Sequence, residues 1–189
     1  MKVTVPPELP ELRLFHLRVF HDARGRFVEL HHAERYAEAG LAVRFVQDNV
    51  SVSKHHVLRG LHLQHPRGQG KLISVLEGEL FDVAVDVRRG SPTFARWAGF
   101  TLSAENGAQL WIPPGFAHGF VVTSEQALVA YKCTEPYVPE AEHTIRWDDP
   151  LIGIAWPVAE PELSVRDATA PTLAALPEEA LPSWAPPRG

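Results

Sequence analysis

Three short patches hold most of the side chains able to do chemistry. The first, VLRGLHLQHPRGQGK (Val57 to Lys71), gathers Arg59, His62, Gln64 and Lys71 around a Gly-Gln-Gly loop. Those types together fit a site that holds an anion and moves a proton. Imidazole titrates near neutral pH and serves as a general base. A guanidinium pairs bidentately with phosphate or carboxylate. An ammonium stabilises a developing oxyanion. The second patch, QLWIPPGFAHGF (Gln109 to Phe120), adds His118; the third, AYKCTEPYVPEAE (Ala130 to Glu142), adds Tyr131 and Tyr137.

The residue pattern alone leaves each role open. In RGLHLQ, period-2 alternation sets Gly60, His62 and Gln64 on one face and Leu61 and Leu63 on the other. The leucines take the apolar side, so His62 faces a polar surface or a cavity, as a base or as a structural imidazole. Arg59 falls on the leucine face by strict alternation. It joins His62 only if the strand begins or bulges at Gly60, which glycine permits. Lys71 is one of four lysines in the chain and opens the next run. Arg24 and Arg26 flank Gly25 in DARGRF, a tight-turn signature. His118 between two phenylalanines, and Tyr131 beside Ala127 and Val129, also read as packed core groups with bonded polar tips. A metal set is a poor match: the residue two after His62 is Gln64, His65 has the opposite parity, and no Glu follows within a few residues.

The elements that must position these groups are short strands. Runs of β type cover Arg26–Leu30, Phe45–Ser53, Val57–Gln64, Leu72–Leu76, Leu80–Val87, Thr93–Leu102, Gln109–Ile112, Gly115–Thr123 and Ala127–Cys133. Turn signals at Gly25, Glu77-Gly78, Arg89 to Pro92, Asn106-Gly107 and Pro113 to Gly115 separate them. Many short strands at close spacing predict an all-β antiparallel sandwich or barrel. One internal helix is expected over His32–Ala39, capped by Gly40, and a second short one over Thr172–Ala180. In LFDVAVDV, Leu80, Asp82, Ala84 and Asp86 share a face opposite Phe81, Val83, Val85 and Val87. One face is core; the carboxylates of the other are expected at solvent, with a polar cavity as the alternative.

At 189 residues, the chain fits one domain with a substantial core. That domain is placed at residues 1–176, followed by a loose proline-rich tail at 177–189. A net charge of −5 without a basic block argues against general nucleic-acid binding, so any positive site is local. The single cysteine, Cys133, cannot form an internal disulfide and suits a reducing compartment. No stretch is long and apolar enough to span a membrane, and MKVTVPPELP lacks a signal core, so a cytoplasmic location is expected.

Taken together, the motifs are far more specific than any one of them. FHDARGRFVE, QDNVSVS, VLRGLH, QGKL, SPTFARW, QLWIPPGFAHGF and YKCTEPYVPEAE follow in order, then IRWDDPLIGIAWP and LSVRDATAP. Over nearly its whole length the chain resembles the dTDP-4-dehydrorhamnose 3,5-epimerase family. The resemblance implies a cupin-type antiparallel β-barrel (jelly roll) with a few short peripheral helices. It implies a homodimer and a dTDP-sugar substrate, with neither metal nor cofactor. It casts His62 as general base, Tyr131 as general acid, Asp167 as the carboxylate orienting the base, and Lys71 as the cation near the C4 oxygen. Arg24, Arg59 and His118 match positions contacting pyrophosphate or sugar. Glu29, Gln47, Asp48, Asn49, Glu142 and Arg166 match substrate-binding positions. Tyr137 matches the ring that stacks on thymine, and Arg24, Phe27 and Glu29 sit in a segment that reaches across the dimer.

Two positions depart from the family pattern. His56 stands where glycine is usual, and Arg166 where lysine is common, keeping charge but changing geometry. The rival readings are a single-site C3 or C5 epimerase of a related keto-deoxysugar, a ketoisomerase or metal-dependent oxygenase on the same barrel, and a non-catalytic sugar-nucleotide binder. Gln64 argues against the metal enzyme; His62 and Tyr131 argue against the binder.

Overall fold

The computed structural model describes residues 1–186. Thirteen strands dominate it. Sheet one has six antiparallel strands in the order β1 (Lys2–Thr4), β2 (Arg13–His16), β10 (Ala108–Ile112), β7 (Lys71–Glu77), β12 (Gln126–Cys133) and β5 (Gln47–Lys54). Sheet two has five in the order β13 (Glu142–Thr144), β6 (Leu58–Gln64), β11 (Phe116–Val122), β8 (Glu79–Asp86) and β9 (Trp97–Ser103). A separate hairpin pairs β3 (Val19–Asp22) with β4 (Gly25–Val28). The helices are short: α1 (Ala33–Glu38) and α2 (Val165–Ala168).

From β5 to β13, successive strands alternate between the sheets, except that β8 and β9 form a hairpin within sheet two. Several turn signals in the sequence are therefore crossings from one sheet to the other. Gly78 carries β7 into β8, and the Pro113 to Gly115 turn carries β10 into β11. This winding makes a cupin-type jelly roll with two facing sheets that do not close into a single hydrogen-bonded barrel.

Each face of the sheets has its own cover. Between the sheets pack Ile73, Val75, Leu80, Ala84, Leu102, Leu110, Phe116, Phe120 and Val129. Behind sheet two, Leu61, Leu63, Val83, Val85 and Val87 meet Ile145, Ile152, Leu173 and Leu181 from the C-terminal segment. Behind sheet one, Phe15, Leu72 and Trp111 lie under Tyr36 of α1 and Leu41. Both faces of β8 are thus buried, and the solvent expected beside Asp82 and Asp86 is absent. Both carboxylates are fully buried: Asp82 pairs with His118, and Asp86 binds Arg88, Ser91 and Thr93.

Local expectations hold for α1, whose chain leaves the helix through Gly40 at φ 88°. The helix expected over Thr172–Ala180 is two 3-10 turns, Leu173–Ala175 and Glu178–Ala180, separated at Pro177. Strands β1, β2, β3 and β13 carry too few alternating apolar residues to stand out in the sequence. The tail expected to be loose docks instead. Ala180 and Leu181 are buried, and Arg89 and Trp184 exchange backbone hydrogen bonds with the chain opposite them. Residues 187–189 of that tail lie outside the described residues.

Candidate active site

The site is assembled on the facing surfaces of the two sheets. In sheet two, β6 supplies His62 and Arg59 through a bulge. His62 pairs with His118 and Arg59 with Phe120, so Gly60 and Leu61 together oppose Gly119. Gly60 sits at φ 124°, and a Cβ there would lie 2.6 Å from the Gly119 Cα. Only glycine fits. The extra residue lets Arg59 and His62 face the cavity, while Leu61 and Leu63 pack behind the sheet.

His62 Nε2 lies 2.6 Å from Asp167 Oδ1. Asp167 is nearly buried, and its other oxygen, Oδ2, accepts from the Ser164 hydroxyl at 2.9 Å. Burial alone raises a carboxyl pKa. The hydrogen bonds from His62, Ser164 and the Gly60 backbone N–H outweigh it and hold Asp167 below the usual carboxylate range. The carboxylate accepts, so the ring nitrogen facing it carries the proton and Nδ1 keeps a lone pair for the cavity. Beside this dyad lies a second one. His118 Nε2 is 2.9 Å from Asp82 Oδ2, with both groups buried. Asp82 was legible only as one of two carboxylates on a strand face; its pairing with His118 depends on neighbouring strands.

Sheet one supplies the opposite wall. Lys71 pairs across strands with Cys133, and Tyr131 with Asn49 and Ile73. Burial pulls the Lys71 ammonium below the ordinary lysine range, while Cys133, Glu142 and Asp82 hold it up. No carboxylate among the described residues forms an ion pair with it, which leaves the ammonium free for a ligand oxygen. Burial also pushes the Tyr131 phenol up, and the Cys133 and Glu142 charges outweigh the opposing pull of Arg59. That hydroxyl stays protonated at neutral pH and can donate.

At the mouth, Glu142 Oε2 accepts from the Tyr137 hydroxyl at 2.7 Å and from Arg166. Burial raises the Glu142 carboxyl, but Tyr137, Arg166 and nearby His62 outweigh it and keep the group ionised. Gln47 accepts from the Tyr137 backbone N–H and donates to Asn49, which in turn donates to Cys133 Sγ. Gln64, read as sharing the face of His62, is a structural brace. Its amide donates to the Arg67 and Pro136 carbonyls and accepts from the Val138 N–H, holding the loop that presents Tyr137.

Four expected positions do not join this cavity within one chain. Asp48 points to the outer face of sheet one and pairs with Lys132. Arg24 and Phe27 lie on the β3–β4 hairpin, exposed, with Arg24 paired to Asp22, and Glu29 binds Arg35. Asp167 and Arg166 ride on α2, a helix absent from the expected elements. Its signal was present: Ser164 caps the helix and stands three residues before an acidic residue. Among the described residues, no three His, Cys, Asp or Glu side chains converge in a metal-binding group.

A jelly roll that sets a histidine of one sheet, backed by an aspartate of α2, against a lysine and a protonated tyrosine on the other sheet defines a class: a proton-transfer site of the cupin type. A family profile described as dTDP-4-dehydrorhamnose 3,5-epimerase matches residues 6–175. The dTDP-4-dehydrorhamnose 3,5-epimerase of Salmonella typhimurium is 51% identical over 92% of this chain and 96% of its own length. That of Pseudomonas aeruginosa is 54% identical over 84% of this chain and 89% of its own. The crystal structure of a Legionella pneumophila dTDP-6-deoxy-D-glucose-3,5-epimerase, in complex with dTDP-4-keto-L-rhamnose, superposes with a TM-score of 0.93 at 49% identity, covering 97% of this chain and 98% of that one. The chain belongs to the dTDP-4-dehydrorhamnose 3,5-epimerase family.

Proposed function

We propose that the protein converts dTDP-4-dehydro-6-deoxy-D-glucose to dTDP-4-dehydro-L-rhamnose by inverting C3 and C5. One observation carries this reading: the base and the acid stand on opposite walls. His62 projects from sheet two and Tyr131 from sheet one. A stereocentre inverts when a proton leaves from one face and returns to the other.

The C4 ketone acidifies the hydrogens on both neighbouring carbons. His62 takes the proton at Nδ1, and Asp167 stabilises the imidazolium that forms. The electron pair moves to the C4 oxygen, where Lys71 balances the enolate charge. The phenol of Tyr131 then donates to the opposite face of the carbon and the ketone reforms; His62 releases its proton to solvent and the Tyr131 phenolate regains one from it before the second carbon is inverted. Oxidation level is unchanged, so the chemistry calls for no cofactor.

The nucleotide end is assigned to the mouth. Arg59 and Arg166 suit the diphosphate, with Gln47, Asn49 and Glu142 as further polar partners and Tyr137 as a stacking platform. The exposed hairpin with Arg24, Phe27 and Glu29, and with Phe20 also exposed, suits a homodimer in which this segment reaches the neighbouring cavity. The lone buried Cys133 supports a reducing, cytoplasmic setting.

Proton NMR of dTDP-4-keto-6-deoxy-D-glucose with the enzyme in D2O tests the reading. Deuterium at C3 and C5 is the expected result. Deuterium at one carbon with a single-epimer product moves the protein to the specialised single-site epimerases; no exchange overturns the substrate assignment.

A further inference from the structure

Ser164, the hydroxyl that caps the one-turn helix α2, has no part in the mechanism given above. Ser164 Oγ donates to Asp167 Oδ2 at 2.9 Å and accepts from the Asp167 backbone N–H at 3.1 Å. The same carboxylate gives its other oxygen, Oδ1, to His62 at 2.6 Å. His62, Asp167 and Ser164 therefore form a continuous line. The hydroxyl ends it, in an open pocket that Arg59, His62 and Glu162 also line.

The frame around that line is tied to β6. The Leu58 N–H donates to the Glu162 carbonyl at 2.9 Å, and the Glu162 N–H donates to the His56 carbonyl at 2.9 Å. The segment leaving Glu162 reaches Ser164 two residues later, so the base and its carboxylate share one backbone scaffold. His56 occupies the left-handed region at φ 63° where this scaffold turns, the position where the family pattern usually has glycine. Meanwhile Val165 is 83% exposed, so the helix is not held by a buried apolar side chain at its first residue. What fixes Asp167 is its hydrogen bonding.

We propose that Ser164 is a positioning residue of the reaction, holding the Asp167 carboxylate in the plane and rotamer that aim the free nitrogen of His62 at the substrate carbon. This rests on the base role given to His62 above. Without the hydroxyl, Oδ2 becomes a buried acceptor with no side-chain donor, and the carboxylate rotates to find one. In metal sites, partners that orient a ligating imidazole through its second nitrogen cost about 10–100-fold when removed, which sets the upper scale for a donor one bond further out. A loss of that size in kcat, with KM within about twofold, is expected for Ser164→Ala.

A plain helix cap predicts something different, and two further variants separate the cases. Ser164→Asp keeps a strong N-cap acceptor but loses the donor and sets a second negative charge beside Asp167. A cap alone predicts near-normal kcat; the positioning role predicts a loss at least as large as that of Ser164→Ala. Ser164→Thr retains both hydrogen bonds and recovers kcat to within about threefold of the parent, judged against the same orienting loss.

The readout that does not depend on turnover is the downfield proton NMR resonance of the His62–Asp167 hydrogen bond in the unliganded protein. It is expected to shift or broaden in Ser164→Ala and Ser164→Asp and to return in Ser164→Thr, with thermal unfolding recorded for each variant. An unmoved resonance with normal kcat in Ser164→Asp overturns the proposal. If instead the resonance moves as expected while the parent enzyme exchanges no substrate proton, the positioning stands and the assigned reaction fails.

Discussion

Replacing Asp167 by Asn keeps the shape of the side chain and removes its charge, which isolates what the carboxylate does for His62. The pair is 2.6 Å apart, with side-chain exposures of 26% for His62 and 4% for Asp167. Two unit charges about 4 Å apart at an effective dielectric near 20 interact by about 4 kcal/mol. Since about 1.4 kcal/mol is a factor of ten, full loss of that support for the imidazolium amounts to about three decades in rate. An Asn in its place also presents either an amide donor or an oxygen to the ring, which adds a tautomer error of the kind that is costly in other His–carboxylate pairs. The expected fall in kcat/KM for Asp167→Asn is therefore about 1,000-fold or more, with dTDP affinity unchanged within about twofold. Deuterium incorporation at C3 and C5 gives the rate, and isothermal titration with dTDP gives the affinity. A loss of less than tenfold, or a parallel loss of dTDP affinity, refutes the reasoning, because the carboxylate would then be serving the fold or the nucleotide and not the base.

Other consequences follow from the same geometry. Burial lowers the Lys71 pKa, so its charge is lost as pH rises through a value below the ordinary lysine figure of about 10.4. The alkaline limb of kcat is expected below that figure, and Lys71→Arg moves the limb upward while reducing kcat; an unmoved limb assigns it to another group. Leu181 is 5% exposed in the cluster behind sheet two, so Leu181→Ala is expected to destabilise the fold by about 2–5 kcal/mol in urea unfolding. A change below about 0.5 kcal/mol, the usual range of surface substitutions, contradicts the docking of the C-terminal segment. Asp86 is fully buried; burial works to raise its carboxyl, but Arg88, Ser91 and Thr93 hold it below the usual range. A depressed carboxylate contributes stability that is present above about pH 4 and lost as pH falls through its folded value. Asp86→Asn is thus expected to lower stability at pH 7 and to lessen its decline below pH 4; an equal decline in both proteins removes Asp86 as its source.

Much of this was legible in the chain because local patterning and global packing agree. The alternation in RGLHLQ put two leucines behind the sheet and His62 before it, and glycine at position 60 marked the only place where Arg59 could change sides. What stayed hidden depends on contacts between distant segments. Nothing in LFDVAVDV tells that its second face is enclosed, since that requires His118 to arrive from β11 opposite Asp82. Asp48 sits between Gln47 and Asn49, yet strand alternation turns it outward while its neighbours face in; the motif resemblance groups all three, and the pleat separates them. The proline-rich end reads as loose because proline punctuates it, but Ala180 and Leu181 are apolar enough to dock. Ser164 and Asp167 were separable from a bland loop by a capping pattern three residues apart, a signal masked by the shortness of the helix it starts.

The central claim is that one imidazole serves as base for both carbons. The direct test is His62→Ala in D2O with dTDP-4-keto-6-deoxy-D-glucose, following exchange at C3 and C5 by proton NMR alongside dTDP binding. Exchange at both carbons is expected to be abolished while dTDP binds almost as in the parent. Exchange retained at either carbon contradicts that claim.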